Sequence, residues 1–195
     1  TFFKVVYKRY TNFAMESMEQ TLNGTANFNN KVVCKVSRNG DLMGACYVET
    51  TLPAIALSES DNWVGRVGFR LLKQVELRVG GQMIDRQYST WMHVWSELSH
   101  TTDQKALLDK LVGSKGTDGA VIADAAVSAT TYNIPLLFSF CRNPGLALPL
   151  IALQYHEVEI HIEFETLARC MSDASTSQSG SLSNTSLWVD YIFLD

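Results

Sequence analysis

The residues whose types best suit chemistry form one row, Glu157, Glu159, His161 and Glu163. They alternate with apolar residues, so on a strand they would share one face, with neighbours about 7 Å apart. Carboxylates and imidazoles are metal ligands, which makes the row a candidate metal site. It also fits the solvated face of a strand or a subunit contact. We favour this second interpretation because the sequence shows no second shell of partners for a metal.

The four histidines argue against a second kind of site. A jelly-roll enzyme of the cupin type needs a His-x-His pair with a later Glu and His. His93, His100, His156 and His161 contain no such pair. No Gly-x-Ser-x-Gly, Walker or Rossmann pattern occurs in the sequence either. We therefore predict no catalytic residue, no bound metal or cofactor, and no small-molecule substrate.

Composition bounds the remaining classes. The chain has 195 residues, of which 46% are hydrophobic and 18% are charged, so we expect a single domain with a sizeable core. The formal net charge of -4 gives no reason to expect a basic face for nucleic acid. No apolar run approaches the roughly 18–20 residues that a membrane span needs.

The cysteines indicate the redox environment. Cys34, Cys46, Cys141 and Cys170 include no C-x-x-C pair, and the first three lie in apolar runs. Cysteines in such runs are typically small buried hydrophobic residues. We expect free thiols in a reducing compartment rather than a disulfide framework.

Three surface features could bind a partner. Asn23 and Asn184 each begin a triplet that matches the N-glycosylation pattern, although such triplets also arise by chance. Trp91 and Trp95 could bind a sugar, but we expect them to pack a helix on the sheets. The aromatic and basic residues 2–10 could grip a neighbour or an acidic membrane surface, or pack on their own domain.

The elements that position these residues are mostly strands. Alternation and turn signals predict strands at residues 13–22, 31–37, 42–52, 71–79, 82–87, 134–141, 150–164 and 187–194. Residues 134–141 are apolar on both parities, which is typical of a strand buried on both faces. From residue 155 the pattern alternates, and His156 falls on the apolar parity.

The insertion at residues 88–133 changes to a helical period. Trp91, Val94, Trp95 and Leu98 recur as one apolar stripe. Thr101 with Gln104 resembles a capping box that opens a second helix, which Gly113 ends. The second helix carries Leu107, Leu108 and Leu111 on one side.

Eight antiparallel strands in two sheets make an all-β jelly roll, with short helices confined to one insertion. Short connections near Asn39, Gly80 and Pro144 alternate with long connections, which lie at residues 53–70, 88–133 and 165–186. Because antiparallel strands send odd and even connections to opposite ends, we expect the long ones to gather at one end and the other end to be trimmed flat.

A body of this shape suits either a shell subunit or a lectin-like, carbohydrate-binding module with its site in the loops. The lectin alternative predicts exposed aromatic residues in those loops. Residues 113–131 and 165–186 contain no Trp, Tyr or Phe, which counts against it.

Motifs along the whole chain resemble a known family. They are TFFKVVYKRYTNFAMES at residues 1–17, SRNGDL at 37–42, VGGQMID at 79–85, NPGLALPLIALQYHE at 143–157 and WVDYIFLD at 188–195. In this order they resemble the major capsid protein of nucleocytoplasmic large DNA viruses, the iridovirus and phycodnavirus group.

The resemblance implies a structural role. Residues 1–195 would be the first jelly roll of a double jelly-roll chain, and we expect the second to follow the apolar strand at the end of this sequence. Such chains form trimeric, pseudo-hexagonal capsomers of an icosahedral shell, with the long loops outward and the tight end towards an internal membrane. The implied partners are two further copies, neighbouring capsomers and minor capsid proteins. The implied location is the virion, assembled in the host cytoplasm.

Overall fold

The computed structural model describes residues 12–55, 62–113, 128–172 and 179–194. The strands in chain order are β1 (Phe13–Gln20), β2 (Leu22–Asn23), β3 (Lys31–Lys35), β4 (Leu42–Leu52), β5 (Leu72–Val79), β6 (Gln82–Tyr88), β7 (Thr130–Pro135), β8 (Leu148–Pro149), β9 (Val158–Phe164) and β10 (Ser183–Leu194). The helices are α1 (Val67–Leu71), α2 (Ser89–Ser99), α3 (Thr102–Val112), α4 (Ser139–Arg142) and α5 (Leu167–Cys170). Two 3-10 turns span Pro144–Leu146 and Leu150–Leu153. Among these described helices, none has the length and apolarity to cross a membrane.

The strands form two antiparallel sheets. Sheet I has the order β1-β10-β4-β7, with β8 beside β4, and sheet II has the order β2-β3-β9-β5-β6. The predicted strand at residues 13–22 is β1 and β2 together, since the chain passes from sheet I to sheet II at Thr21. With β1 and β2 counted as one strand and β8 set aside, there are eight strands among the described residues, as predicted, although two have other bounds. Their order is that of a jelly roll, so the predicted fold class is confirmed. The helices are not confined to one insertion, because α1, α4 and α5 lie outside residues 88–133.

Alternation along the strands builds the core between the sheets. In β9, Val158, Ile160, Ile162 and Phe164 are each at most 3% exposed, while the residues between them are partly exposed. Sheet I contributes facing residues that include Val48, Leu187, Val189 and Tyr191, each fully buried. Burying each large apolar side chain contributes about 1.5–3 kcal/mol, so this interior is the main stabilising element.

The prediction of a strand at residues 134–141 is wrong, since only the first two of these residues belong to a strand. Ile134, Leu136, Phe138 and Phe140 are all buried, but the strand is Thr130–Pro135 and the chain then turns into α4. Pro135 has no N–H to donate, and a proline is tolerated only where a strand needs no further ladder bond. After β7 ends, Leu136, Phe138 and Phe140 therefore still pack into the core, although they no longer belong to sheet I.

The predicted strand at residues 150–164 begins only at Val158, so the connection near Pro144 is long rather than short and spans residues 136–157. Pro144 and Pro149 interrupt it, and the 3-10 turns take the place of ladder pairing. His156, expected on the buried parity, is exposed because it precedes the strand. The end of the molecule that carries this connection is therefore not trimmed flat.

The three connections predicted to be long gather at one end, as expected, and we call this end the rim. Trp63 forms a β-bridge with Met171, Val64 N donates to Cys170 O at 2.9 Å, and Arg66 N donates to Gly113 O at 2.6 Å. Residues of the three long connections are thus bonded to one another. The predicted arm at residues 2–10 and parts of these connections lie outside the described residues.

The opposite end, which we call the base, is held by backbone contacts. The Arg38 guanidinium donates to Leu153 O at 2.7 Å and His156 O at 3.0 Å, and also to Gln154 O. Gly80 N donates to Glu157 O at 2.8 Å. A Cβ at Gly80 would lie 2.7 Å from His156 Nδ1, and its φ of +59 lies in the left-handed region, so this turn needs glycine.

One hydrogen bond ties the core to the base. Tyr191 is fully buried, and its hydroxyl donates to Ser37 O at 2.6 Å. We expect Tyr191→Phe to lower the free energy of unfolding by about 1–3 kcal/mol, because it leaves the Ser37 carbonyl unsatisfied. Urea denaturation measures this loss. Tyr155→Phe is the matched control, since Tyr155 is 93% exposed and should change nothing. Equal stability of the two variants would contradict the assignment.

Candidate assembly surfaces

The polar row of β9 is engaged by neighbouring side chains. Lys35 Nζ lies 2.8 Å from a Glu157 carboxylate oxygen, and Lys73 Nζ lies 2.5 Å from one of Glu163. His161 Nε2 lies 3.0 Å from a Glu159 oxygen. Within the described ranges, no group of three or more His, Cys, Asp or Glu residues is placed to hold a metal ion. The row therefore forms part of a charged outer face on sheet II.

Glu76 is a residue whose role the sequence did not reveal. It lies on the outward parity of β5 but is only 2% exposed, beneath the side chains of Arg78 and Arg86. Carboxylate–guanidinium distances are 2.7 Å to Arg78 and 2.8 Å to Arg86. Burial opposes ionisation of Glu76, but the hydrogen bond and charge of Arg78, together with the charge of Arg86, outweigh it and lower its pKa. The ion pair with Arg78 lies within β5, and the ion pair with Arg86 links β5 to β6 on the outer face of sheet II.

The two glycosylation triplets lie at the rim. Asn23 ends β2 and is exposed, as is Thr25 two residues later. Asn184 is also exposed, with a φ of 47, but Ser186, the hydroxyl residue of its triplet, is buried. The triplet at Asn23 is therefore the more accessible of the two.

The apolar stripe of α2 faces away from the sheets, so that prediction is wrong. Leu98 is 78% exposed and Trp91 40%, whereas the buried residues of this helix are Met92 and Ser96. In α3 the capping box at Thr101 forms as predicted, but of its three leucines only Leu108 is buried.

Arg66 explains this orientation. Its backbone is left-handed, with a φ of 54, and its side chain reaches both helices. Nη1 lies 3.0 Å from Ser96 Oγ and 2.5 Å from a Glu97 oxygen, and Nε lies 2.7 Å from an Asp109 oxygen. The nitrogen donors of a guanidinium have a fixed geometry. The sides of α2 and α3 that carry these acceptors are therefore turned towards Arg66. The apolar residues are left pointing outward.

The exposed large apolar residues of α2 and α3, which together we call the helical face, are Trp91, Val94, Leu98, Leu107 and Leu111. Trp95 borders it, with its ring 5.7 Å from Trp91 and beneath the Arg142 guanidinium at 4.2 Å. Groups of exposed apolar side chains commonly mark interaction sites in soluble proteins.

The other exposed large apolar residues among those described fall into three groups. On β6 they are Met83, Ile84 and Tyr88, which precede the helical face; on the opposite edge they are Phe13, Met15 and Leu194; at the base they are Leu146, Ile151 and Tyr155. None lies in the described parts of residues 53–66 or 165–182. The exposed large apolar residues therefore lie on the two lateral edges and the base, whereas the described parts of the first and third long connections carry none.

Lowering the pH should destabilise the contact between Arg66, Lys105 and Glu97 that holds α2 and α3 in place. Hydrogen bonds from Lys105 and then Arg66 lower the pKa of Glu97 from its ordinary 4.5 to about 2. The carboxylate therefore contributes stability above pH 4.5, and this contribution is lost as the pH falls towards about 2. We expect Glu97→Gln to reduce the dependence of unfolding free energy on pH in this window.

Urea denaturation at a series of pH values makes the measurement, with Glu16→Gln as the control because Glu16 is exposed on β1. A Glu97→Gln variant whose pH dependence matches that of the unmodified chain would refute the role of this ion pair.

Comparison with known proteins identifies the family. The family model described as "Major capsid protein N-terminus" matches residues 1–195. The major capsid protein of Pyramimonas orientalis virus is 47% identical, over 100% of this chain and 48% of its own length. That of Paramecium bursaria Chlorella virus 1 is 41% identical, over 100% of this chain and 43% of its own length.

Solved structures agree. The crystal structure of PBCV-1 VP54 superposes with a TM-score of 0.83 and 37% identity, covering 100% of this chain and 46% of that chain. The Faustovirus major capsid protein, at 14% identity and a TM-score of 0.74, shares the fold. The chain spans about half the length of the curated relatives it matches. It belongs to the family of major capsid proteins of nucleocytoplasmic large DNA viruses, of which it matches the N-terminal region.

Proposed function

We propose that this chain is a structural, non-enzymatic subunit of an icosahedral virus capsid. The observation that carries the proposal is its 47% identity, over its whole length, to a protein named as a major capsid protein. The distribution of surface chemistry supports it. A wall unit needs sides that bind neighbours and an outer end that does not. The apolar lateral edges fit the first need, and the lack of exposed large apolar residues in the described parts of residues 53–66 and 165–182 fits the second. The described parts of residues 53–66 and 165–182 expose no large aromatic residue of the kind that the lectin-like alternative requires.

The 195 residues would be the first of two jelly rolls in one polypeptide. Support comes from length, since the relatives are about twice as long as the region they share with this chain. In a double jelly-roll subunit each sandwich stands beside another, so the apolar edges would be covered in the assembled protein.

The full subunit would form a homotrimer, a pseudo-hexagonal capsomer. Two different edges of the sandwich carry apolar residues, Leu98 and Leu107 on one side and Phe13 and Met15 on the other. An interface between unlike patches repeats from one unit to the next and closes into a ring when the rotation allows. We propose that the helical face packs against the β1 edge of the adjacent jelly roll.

The remaining partners follow from the two ends. The base, with the exposed Leu146, Ile151 and Tyr155, would face minor capsid proteins and an internal membrane. The charged outer face of sheet II and the rim would meet neighbouring capsomers and the medium. The protein would be assembled in the host cytoplasm and reside in the virion.

Charge placed on the helical face should weaken the trimer without unfolding the subunit. Leu98 and Leu107 are 78% and 63% exposed, so Leu98→Glu and Leu107→Glu remove no core packing. Residues central to an interface typically contribute about 1–3 kcal/mol, so each substitution should weaken association by about 5- to 150-fold. Light scattering of the full-length protein over a range of concentrations measures the trimer fraction.

Ile151→Glu is the matched control, because Ile151 is 61% exposed at the base and should leave the trimer intact. A full-length protein that stays monomeric at high concentration would reject the trimer. A trimer that tolerates both substitutions on the helical face would reject the assigned contact.

We also propose Asn23 and Asn184 as glycan acceptors, with Asn23 preferred because its triplet is the more accessible. Mass spectrometry of peptides from purified virions should show a larger modified fraction at Asn23 than at Asn184. Unmodified peptides at both positions would remove the proposal.

A further inference from the structure

Two cysteines far apart in sequence meet at the edge of the core. Cys46 lies in the middle of β4 and Cys141 in α4, and their Sγ atoms are 3.4 Å apart. Cys46 is 1% exposed, whereas Cys141 is partly exposed. All four cysteines are free thiols in this structure.

The backbone holds both residues in place. Leu136 N donates to Cys46 O at 3.0 Å, which joins β4 to the segment that leads to α4, and Cys141 N donates to Phe138 O at 3.0 Å. A disulfide has an S–S distance of about 2.05 Å, so the sulfur atoms need to approach by little more than about 1 Å. In the oxidised form, rotation of the two side chains would bring the sulfur atoms to this distance.

We propose that Cys46 and Cys141 are a redox-active dithiol, which a small-molecule disulfide such as oxidised glutathione converts into an intrachain disulfide. The inference rests on the geometry of the pair and does not depend on the capsid role.

The reaction is two successive thiol–disulfide exchanges. The Cys141 thiolate attacks one sulfur of oxidised glutathione, forming a mixed disulfide and releasing one glutathione thiolate. The Cys46 thiol then loses its proton and attacks Sγ of Cys141, which releases the second glutathione. The two cysteines lose two electrons and two protons, and one oxidised glutathione becomes two reduced molecules.

The environments of the two thiols suit this order of attack. The hydrogen bond from the Cys46 thiol lowers the pKa of Cys141, and burial only partly opposes it. The same hydrogen bond, together with burial, raises the pKa of Cys46. The partly exposed cysteine is therefore the more readily ionised one, as an attacking thiol needs to be.

The other two cysteines serve as controls within the same molecule. Cys34 and Cys170 are fully buried, and burial raises the pKa of each to about 12. Neither should react with a dissolved disulfide while the protein is folded.

A consequence for assembly rests on the proposed function. Arg142, next to Cys141, stacks on Trp95 at the border of the helical face. A bond from Cys141 to β4 would fix α4, and with it this border, once the particle leaves a reducing compartment for an oxidising one.

The test uses the protein purified in reductant and then equilibrated with mixtures of oxidised and reduced glutathione. Free thiols are alkylated after unfolding, and the products are read by mass spectrometry. We expect an intact mass lower by two hydrogen atoms before alkylation, two fewer alkyl groups after alkylation, and a linked peptide pair containing Cys46 and Cys141. Cys34 and Cys170 should stay fully alkylated.

Two variants separate the steps. Cys46→Ser should accumulate a glutathione adduct on Cys141, whereas Cys141→Ser should leave Cys46 free. Four alkylatable thiols in oxidised glutathione alone, or adducts mainly on Cys34 or Cys170, would overturn the inference even if neither variant folds. This outcome leaves the trimer measurement unaffected, so the two proposals fail independently.

Discussion

The guanidinium of Arg66 determines which side chains of α2 and α3 face the solvent. Two sheets that bury their inner faces leave an open edge between β6 and β7, and α2 and α3 pack there. Arg66 fixes these helices through Ser96, Glu97 and Asp109. Met92, Leu108 and Val112 anchor the helices in the core. Because Arg66 holds their polar side as well, Trp91, Leu98 and Leu107 are not needed for the attachment. They form an apolar surface on the outside, which in an isolated domain would only promote aggregation.

The rest of the surface follows a division consistent with a wall unit. Sheet II presents a face of ion pairs that includes the buried Glu76, so it is rigid and charged. Among the described residues, the exposed large apolar side chains lie at the lateral edges and the base, and backbone hydrogen bonds join the three long connections at the rim. The sandwich is therefore stabilised internally by burial, while its assembly depends on edges that burial leaves unused.

Sequence alone predicts the strands that expose one face to solvent, because apolar and polar residues then alternate, as in Ile160, His161 and Ile162. Prediction from sequence fails in the run that begins at Ile134. Apolar residues occupy both the even and the odd positions there, but only the even positions are buried. Pro135, Pro144 and Pro149 were a usable sign that ladder pairing would stop there.

The helical face was less accessible to prediction. An apolar stripe at helical spacing normally packs on a core, and Trp91 to Leu98 fits that pattern. The stripe faces outward because Arg66, more than twenty residues earlier, adopts a left-handed backbone and selects the polar side. Nothing local to α2 carries this information. Likewise, the approach of Cys46 to Cys141 depends on the path of the chain after β7, which the sequence pattern misassigned.

Hydroxyl-radical footprinting of the full-length protein, dissociated and assembled, tests the central claim most directly, because it measures the solvent exposure of individual side chains. The account predicts that Trp91, Leu98 and Leu107 are oxidised in the dissociated subunit and strongly protected in the capsomer. Met15 on the opposite edge should become protected together with them. Equal oxidation of the helical face in both states would contradict the account, since that surface would then have no partner in the shell.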